Sequence, residues 1–281
     1  MGRAGLTWDG DPRVKPPFGA ARINRGHLLA RDLVGFWPIN EHGGNLLTDL
    51  ASSKQGTLAA LGAAAKPTWR PNRLDLTSGN ASGADASYVT VPDHPVFDIV
   101  DAVSLMVSFS QDLNGVSDLA GVAGKWGVAL SDRSYLLWFT AAGTLAFQVG
   151  DGTTTTGPTT STLLNTTYVA VGTYDRSTIA LYLDGVLKNT VAATAAMPST
   201  TRPFEIGLIR SDDPTRFAFD GQITYVYLWR RAITASEVTT LHAEPYAFLR
   251  PKVARRYFVP TVAAGWGPLF SRQRNRLVVV P

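Results

Sequence analysis

The chain carries acidic residues in turn-forming stretches between its apolar runs, namely Glu41, Asp49, Asp93, Asp212, Asp213 and Asp220. Carboxylate oxygens in loops are the ligands that Ca²⁺ prefers, and they also accept hydrogen bonds from sugar hydroxyls. Asp is just as common as a turn former, because its side chain bonds the nearby backbone. The sequence therefore predicts structural turns, a calcium site at Glu41, Asp49 and Asp220, or a carbohydrate site at Asp212 and Asp213.

Residue types that perform catalysis are present without a recognisable arrangement. The sequence has no Cys, which excludes disulfides, thiolate zinc sites and cysteine nucleophiles. It has no Gly-rich phosphate loop and no His/Cys metal cluster, and its Gly-x-x and Gly-x-Gly stretches match neither a nucleophile elbow nor a dinucleotide fingerprint. His94 stands alone in a polar loop, where a histidine is more often a surface residue than a ligand. We predict that the protein is not an enzyme.

Short strands joined by turns are predicted around these residues, most clearly in the stretch 167–191. Within it, the run 179–183 alternates in period two, which places Leu181 on one face and Tyr182 on the other. Asp184-Gly185 follows directly. Asp-Gly between two alternating runs predicts a tight hairpin, because both central positions of such a turn need positive φ. The stretch is therefore predicted to be an antiparallel meander.

A long strand followed by a helix is predicted near the end of this β-rich region. The run 217–229 alternates, and its last three aromatic residues, Tyr227 among them, share one face. Thr234 and Glu237 have the spacing of a capping box, and Pro245 stops the helix that they begin.

Several of these segments together resemble the laminin G-like and concanavalin A-like jelly-roll family. The resemblance rests on T-Y-D-R-S-T-I-A-L-Y-L-D-G-V-L at 173–187, L-V-G-F-W-P-I-N-E at 33–41, Y-V-T-V-P at 88–92, F-E-I-G at 204–207, F-D-G-Q-I at 219–223 and R-A-I-T-A-S-E-V at 231–238. It covers residues 33–246 and implies an all-β fold, an antiparallel β-sandwich with one short C-terminal helix. A fold of this kind says little by itself about function.

The resemblance also has implications for ligands. In that family, the segment after the first strand often helps to hold a calcium ion through an Asp and backbone oxygens. This chain matches that segment at Asp49 and at residues 56–58, but it has Lys54 where the cation would need oxygen ligands. Relatives bind ligands on a shallow face, toward which Tyr182 is expected to point. The family includes glycosidases, yet the glucanase pattern Glu-x-Asp-x-x-Glu is absent here. The implied site is therefore one for carbohydrate, with calcium possible.

Both ends of the chain are basic. Residues 1–35 hold six Lys or Arg against three acids, residues 246–281 hold seven against none, and the remainder holds 13 against 19. The ends also contain Pro and isolated aromatic residues, a composition suited to extended arms that dock on an acidic partner. A solvated tail and a nucleic-acid contact are the alternatives. The predicted docking residues are Trp8, Phe18, Arg250, Arg255, Arg256, Tyr257, Phe258, Trp266, Arg272 and Arg274.

The expected organisation is an N-terminal arm (1–32), a sandwich (33–246) that folds without the arms, and a C-terminal arm (247–281). The apolar residues of the N-terminal arm predict that it lies in a groove of its own domain or of a neighbour, with plain disorder as the alternative. A similar layout occurs in phage proteins with this domain, which implies a virion structural protein that decorates the capsid or belongs to the tail or a fibre. Its expected partners are major capsid or tail proteins, host-surface glycans and further copies of itself, with no membrane and no nucleic acid. The alternative is a calcium-dependent carbohydrate-binding module.

Overall fold

The computed structural model describes residues 8–78, 85–112, 119–140, 144–210 and 217–252, together with the strand pairing of residues 256–257 and 278–279. In chain order the strands are β1 (Ala21–Ile23), β2 (Leu33–Trp37), β3 (Leu46–Leu47), β4 (Gly56–Leu61), β5 (Thr68–Arg70), β6 (Arg73–Leu76), β7 (Ala86–Val91), β8 (Val103–Gln111), β9 (Ala120–Trp126), β10 (Arg133–Phe139), β11 (Thr144–Gly150), β12 (Thr155–Thr156), β13 (Thr159–Ser161), β14 (Thr167–Tyr174), β15 (Thr178–Leu183), β16 (Val186–Ala192), β17 (Phe204–Ile206), β18 (Leu208–Ile209), β19 (Phe217–Ala218), β20 (Gly221–Trp229), β21 (Leu249–Pro251), β22 (Arg256–Tyr257) and β23 (Val278–Val279). Helix α1 spans Ala235–Ala243, and short 3-10 helices span Leu28–Ala30, Pro95–Phe97 and Leu130–Asp132.

Most strands belong to two antiparallel sheets. The back sheet has the order β16-β15-β14-β8-β20-β6-β5, with β2 also paired to β20, and the front sheet has the order β12-β11-β10-β9-β17-β7-β4-β3, with β13 also paired to β11. In the described ranges α1 is the only α-helix, and none of the described helices is long and apolar enough to span a membrane. The predicted all-β sandwich with one short C-terminal helix is confirmed.

The predicted meander is β14-β15-β16, at one edge of the back sheet. Its turn residues Asp184 and Gly185 both have positive φ, 52° and 78°, as a two-residue hairpin turn requires. The side chains of Ile179, Leu181 and Leu183 lie in the main core between the two sheets. The predicted register is therefore correct.

A main core fills the space between the sheets, and its centre is aromatic. Trp37 of β2 stacks on Phe204 of β17 with ring centroids 5.1 Å apart, and Phe97 packs against both rings. Tyr135 is fully buried beside Phe204 and donates a hydrogen bond to the carbonyl of Phe97 at 3.0 Å. These contacts join the two sheets across the core.

A second apolar cluster covers the outer face of the back sheet. Phe36 and Tyr227 stack at 4.4 Å, and Phe248 packs edge-on against both rings. Trp8 and Leu29, which precede the first sandwich strand, lie in the same cluster together with residues of α1. This face is therefore closed by residues between Trp8 and Leu33, by residues 246–249 and by the helix.

Helix α1 begins with the predicted capping box. Thr234 accepts from the backbone N–H of Glu237 at 3.3 Å, and the Glu237 carboxylate accepts from the backbone N–H of Thr234 at 2.8 Å. Arg231 pairs with Glu237 at 2.7 Å and donates to the carbonyl of Arg31 at 3.0 Å. The cap therefore also ties the helix to the N-terminal segment.

The two terminal segments pair with each other on the back sheet. Strand β1 runs antiparallel to β21, with Arg22 opposite Arg250, and the backbone N–H of Tyr246 donates to the carbonyl of Pro12 at 2.9 Å. Residues 8–32 therefore lie against their own sandwich, as one of the two expected placements of this arm has it, and contacts between the terminal segments and the sandwich cross the expected boundaries at 33 and 246. Further along, β22 pairs with β23, which places the terminal valines against a strand of the same segment.

Candidate functional site

The outer face of the front sheet carries an aromatic patch, which we call the front patch and define as Trp126, Leu136, Trp138, Ile209 and Phe217. Trp126, Leu136 and Ile209 are buried together, and Trp138 and Phe217 pack on them with part of their surface exposed. The Trp138 and Phe217 rings are 6.0 Å apart. The front patch is thus the place where described aromatic rings reach solvent on this face.

The pairing of the strands shapes the front patch. Trp138 of β10 stands between Gly121 of β9 and Ala146 of β11, so its neighbours across the sheet are small. The hairpin β18-β19 lies on β9, and a Cβ on Gly121 would come within 2.8 Å of the Ile209 side chain. Only glycine allows this approach, and the approach brings Phe217 beside Trp138.

Two arginines flank the aromatic rings. The guanidinium carbon of Arg133 lies 5.7 Å from the centroid of the Trp126 ring, and that of Arg210 lies 4.9 Å from the centroid of Phe217. The backbone N–H of Arg210 donates to the buried Glu205 carboxylate at 2.8 Å, which fixes the chain at the end of β18. The front patch therefore combines apolar ring faces with guanidinium donors.

The predicted carbohydrate ligands Asp212 and Asp213 lie outside the described residues, in the connection between β18 and β19. The strand residues that bracket this connection, Ile209 and Phe217, pair with each other within the front patch. Sequence reasoning missed Trp126, Trp138, Arg133 and Arg210 as site residues. A Trp at the outward position of an amphipathic strand is a possible signal, but single-strand periodicity does not show what packs on that face.

Tyr182, also predicted to bind carbohydrate, lies elsewhere. It points away from the main core as expected, but its side chain is buried in the second cluster on the back sheet and only 8% exposed. Burial raises the pKa of its hydroxyl. The terminal segments and α1 cover the face that alternation left open, so the structure places Tyr182 under them and not on an exposed face.

Asp49, predicted as a calcium ligand, instead organises a loop. Its carboxylate is 2% exposed and accepts from the backbone N–H groups of Phe36 at 2.9 Å, Ala51 at 2.8 Å, Ser52 at 2.9 Å and Lys54 at 3.1 Å, and from the Ser52 hydroxyl at 2.6 Å. Both oxygens are thus occupied by donors. A cation would have to displace these hydrogen bonds.

Glu41 and Asp220, the other predicted calcium ligands, also serve the backbone. Glu41 accepts from the N–H of Asn40 and Thr48, and Asp220 accepts from the N–H of Ser78 at 2.9 Å. Burial and the nearby charge of Asp220 raise the pKa of Asp112. Across the described residues, no three acidic or histidine side chains are grouped so that they could hold a metal ion. The structure does not bring the three predicted ligands together.

The predicted docking residues divide into three groups. Of those described, Trp8 is buried, Phe18 is 53% exposed, and Arg250 is exposed with its guanidinium facing the amide oxygen of Asn24 when that amide is oriented to accept. Arg256 and Tyr257 are described only as backbone in β22. The remaining five, Arg255, Phe258, Trp266, Arg272 and Arg274, lie outside the described residues.

Comparison with known proteins agrees with this architecture. A family model described as the concanavalin A-like lectin/glucanases superfamily matches residues 82–239, more than half of the chain. No curated protein matches the sequence.

Solved structures with a similar fold include Trypanosoma rangeli sialidase in complex with sialic acid, with a TM-score of 0.56 and 20% identity over 76% of this chain and 33% of that chain. The binding domain of botulinum neurotoxin DC in complex with rat synaptotagmin II gives a TM-score of 0.55 and 11% identity over 76% of this chain and 52% of that chain. The chain therefore spans about a third of the sialidase and about half of the neurotoxin domain. At these identities the likeness concerns the fold alone.

Proposed function

Since the chain belongs to the concanavalin A-like lectin/glucanase superfamily, we propose that it is a non-enzymatic display domain that binds glycans through the front patch. The observation that carries the proposal is the partly exposed pair Trp138 and Phe217 with the Arg210 guanidinium over the phenyl ring.

The chemistry of the front patch fits a sugar. One face of a sugar ring is apolar and packs on aromatic rings, whereas its hydroxyl or carboxylate groups accept hydrogen bonds from guanidinium donors. Arg133 and Arg210 place guanidinium groups on either side of the aromatic rings, and two nitrogens of the Arg133 group already donate to the carbonyls of Gly127 and Val128. Their positive charge favours an acidic over a neutral glycan.

The position of strands β1 and β21, near the two limits of the described domain, supports display. The N- and C-terminal segments meet at β1-β21 on the outer side of the back sheet, whereas the front patch lies on the outer side of the front sheet. A domain held by its ends would leave the front patch accessible. This arrangement suits a domain that is attached through one side and recognises a ligand with the other.

The larger assembly in our proposal is a bacteriophage particle, in which the basic residues beyond 252 dock on a major capsid or tail protein. This part of the proposal is supported by the layout that resembles phage proteins and by the five Arg residues and no acids of 253–281. The domain would then be a homo-oligomeric decoration of the virion that contacts glycans on the host surface.

Binding to a panel of neutral and acidic oligosaccharides tests the glycan role. We expect the Trp138→Ala variant to bind at least about tenfold more weakly, because it loses one anchoring aromatic contact with the sugar. Trp138→Phe keeps an aromatic ring and is expected to retain most of the affinity. Arg210→Ala is compared with Arg22→Ala, which removes the same charge on the opposite side of the domain. If Trp138→Ala binds as the unchanged protein does, or if no oligosaccharide is bound at all, the front patch is not a glycan site.

Particle assembly tests the docking role separately. Deletion of residues 253–281 leaves β21 in place, so we expect a folded domain that no longer incorporates into particles. Replacing the five Arg residues of this segment by Gln controls for length, and it is expected to reduce incorporation because charge pairing with the partner is lost. Incorporation at the normal level would argue against docking through this segment.

A further inference from the structure

A cavity lies at the rim of the front sheet and shares no residue with the front patch. This rim pocket has a volume of about 310 Å³ and is lined by Ser53, Lys54, Gln55, Pro92, Asp93 and His94. The pairing of the strands determines where the rim pocket lies, because β4 and β7 are antiparallel neighbours with Thr57 opposite Thr90. The chain entering β4 and the chain leaving β7 therefore meet at one edge.

The first wall of the rim pocket is held in place by Asp49. The carboxylate of Asp49 fixes the backbone of the connection between β3 and β4, including the N–H of Lys54. Ser53 adopts a φ of 63° at the bend, which directs the chain so that three successive residues face the cavity. Hydrogen bonds within the chain therefore hold this wall in place.

The second wall is held by a buried lysine. Lys125 is 1% exposed, and its ammonium donates to Asp93 at 2.6 Å and also to Asp98. The Nδ1 of His94 accepts from the backbone N–H of Val96 at 3.1 Å, which leaves Nε2 as the donor nitrogen of the neutral ring. Both polar side chains of this wall therefore have fixed orientations.

The polar groups that face the rim pocket keep unused hydrogen-bonding capacity. Within the described part of the chain, neither the Lys54 ammonium nor the Gln55 amide has a hydrogen-bond partner or an ion pair. One oxygen of Asp93 is taken by Lys125. The residues that line the cavity thus carry an ammonium, an amide, an imidazole N–H and a carboxylate oxygen on two chain segments held by hydrogen bonds.

We propose that the rim pocket binds a single sugar unit that carries a carboxylate. Lys54 and the Nε2–H of His94 would hold the carboxylate, while Gln55 and Asp93 would exchange hydrogen bonds with ring hydroxyls. The volume is near the lower end of the range for small-molecule sites, about 300 to 1,000 Å³, which suits one ring rather than a chain of them. This site goes beyond the proposed role of the front patch and does not depend on it.

Titration of the full chain with glucuronate, monitored by the NMR shifts of the backbone amides, tests the proposal, with glucose as the neutral probe. We expect saturable binding of glucuronate in the millimolar range, weaker binding of glucose, and the largest shifts at the amides of residues 53–55 and 93–94. Lys54→Met and His94→Asn are each expected to weaken glucuronate binding about tenfold, as loss of one charge-assisted hydrogen bond would. Asn at position 94 can still accept from Val96 and keep the turn.

Matched variants separate this site from the front patch. Lys188→Met removes a lysine from the exposed strand β16 and should bind glucuronate like the unchanged protein. Trp138→Ala should also leave it unchanged, so failure of the front patch would not affect this result. The proposal is overturned if glucuronate does not saturate the protein, if its shifts map to the front patch, or if Lys54→Met binds as tightly as Lys188→Met.

Discussion

At the scale of single residues, Asp49 shows how one carboxylate can serve structure where its position suggested a metal. A calcium ligand needs oxygens free to face the cation. The five donors around Asp49 instead connect β2 to the loop that lines the rim pocket. Its contribution is therefore to stability and to the shape of that loop.

We predict that Asp49→Ala lowers the free energy of unfolding by about 2 to 3 kcal/mol, because several buried N–H groups lose their acceptor. Thermal melts of the unchanged protein in chelator and in millimolar calcium are expected to coincide, since a native-state ligand would raise the melting temperature. Asp101→Ala removes an exposed ion pair with Arg176 and is expected to cost under about 1 kcal/mol. A melting temperature that rises with calcium only when Asp49 is present would restore the calcium site.

At the scale of elements, Lys15 fastens the N-terminal segment to the sandwich. Its ammonium donates to the carbonyls of Asn72 and Thr224, both at 2.6 Å, and to that of Ile39 at 3.4 Å. Burial lowers the pKa of Lys15 to about 7, and the charge of Glu41 opposes that shift. The proton on this lysine is therefore coupled to folding.

The sign of this coupling follows from the two pKa values. The unfolded chain keeps the proton up to about pH 10, whereas the folded protein loses it near pH 7, so folding is favoured increasingly as the pH rises between these values. We predict that the unfolding free energy of the unchanged protein rises by about 3 kcal/mol relative to that of Lys15→Met from about pH 7 to about pH 9.5, since each pH unit between the two pKa values adds up to about 1.4 kcal/mol. Urea unfolding at the two pH values measures it. Parallel behaviour of the two proteins would show that Lys15 stays protonated, held by its three carbonyl acceptors.

At the scale of the whole molecule, the terminal segments decide where the domain ends. A sandwich cut at residues 33 and 246 would expose the rings of Phe36, Tyr227 and Trp229 on the back sheet. The indole N–H of Trp229 would also lose the carbonyl of Leu29, to which it donates at 2.8 Å. The structure therefore gives an expectation opposite to that of the sequence for this fragment.

We predict that the fragment 8–252 unfolds with the same free energy as the full chain, whereas 33–246 loses at least about 3 kcal/mol and binds a hydrophobic dye. The point variant Phe248→Ala isolates the same contact and should cost about 3 to 5 kcal/mol. Phe18→Ala is its control, because this ring is exposed in the same part of the fold. Equal stability of the two fragments would mean that the second cluster is dispensable.

The sequence by itself determined the β-sandwich, the meander with its Asp184-Gly185 turn, the register of Leu181 and the capping box at Thr234. These features depend on periodicity and turn chemistry, and both are set by residues that are close together in the sequence. It could not determine what covers a strand face. Tyr182 and Trp138 both occupy faces outside the main core, but the terminal segments bury the first, whereas the second stays partly exposed beside Phe217. Only the tertiary structure decided between these outcomes, because burial depends on packing by segments far away in the chain, here residues 8–33 and 246–249.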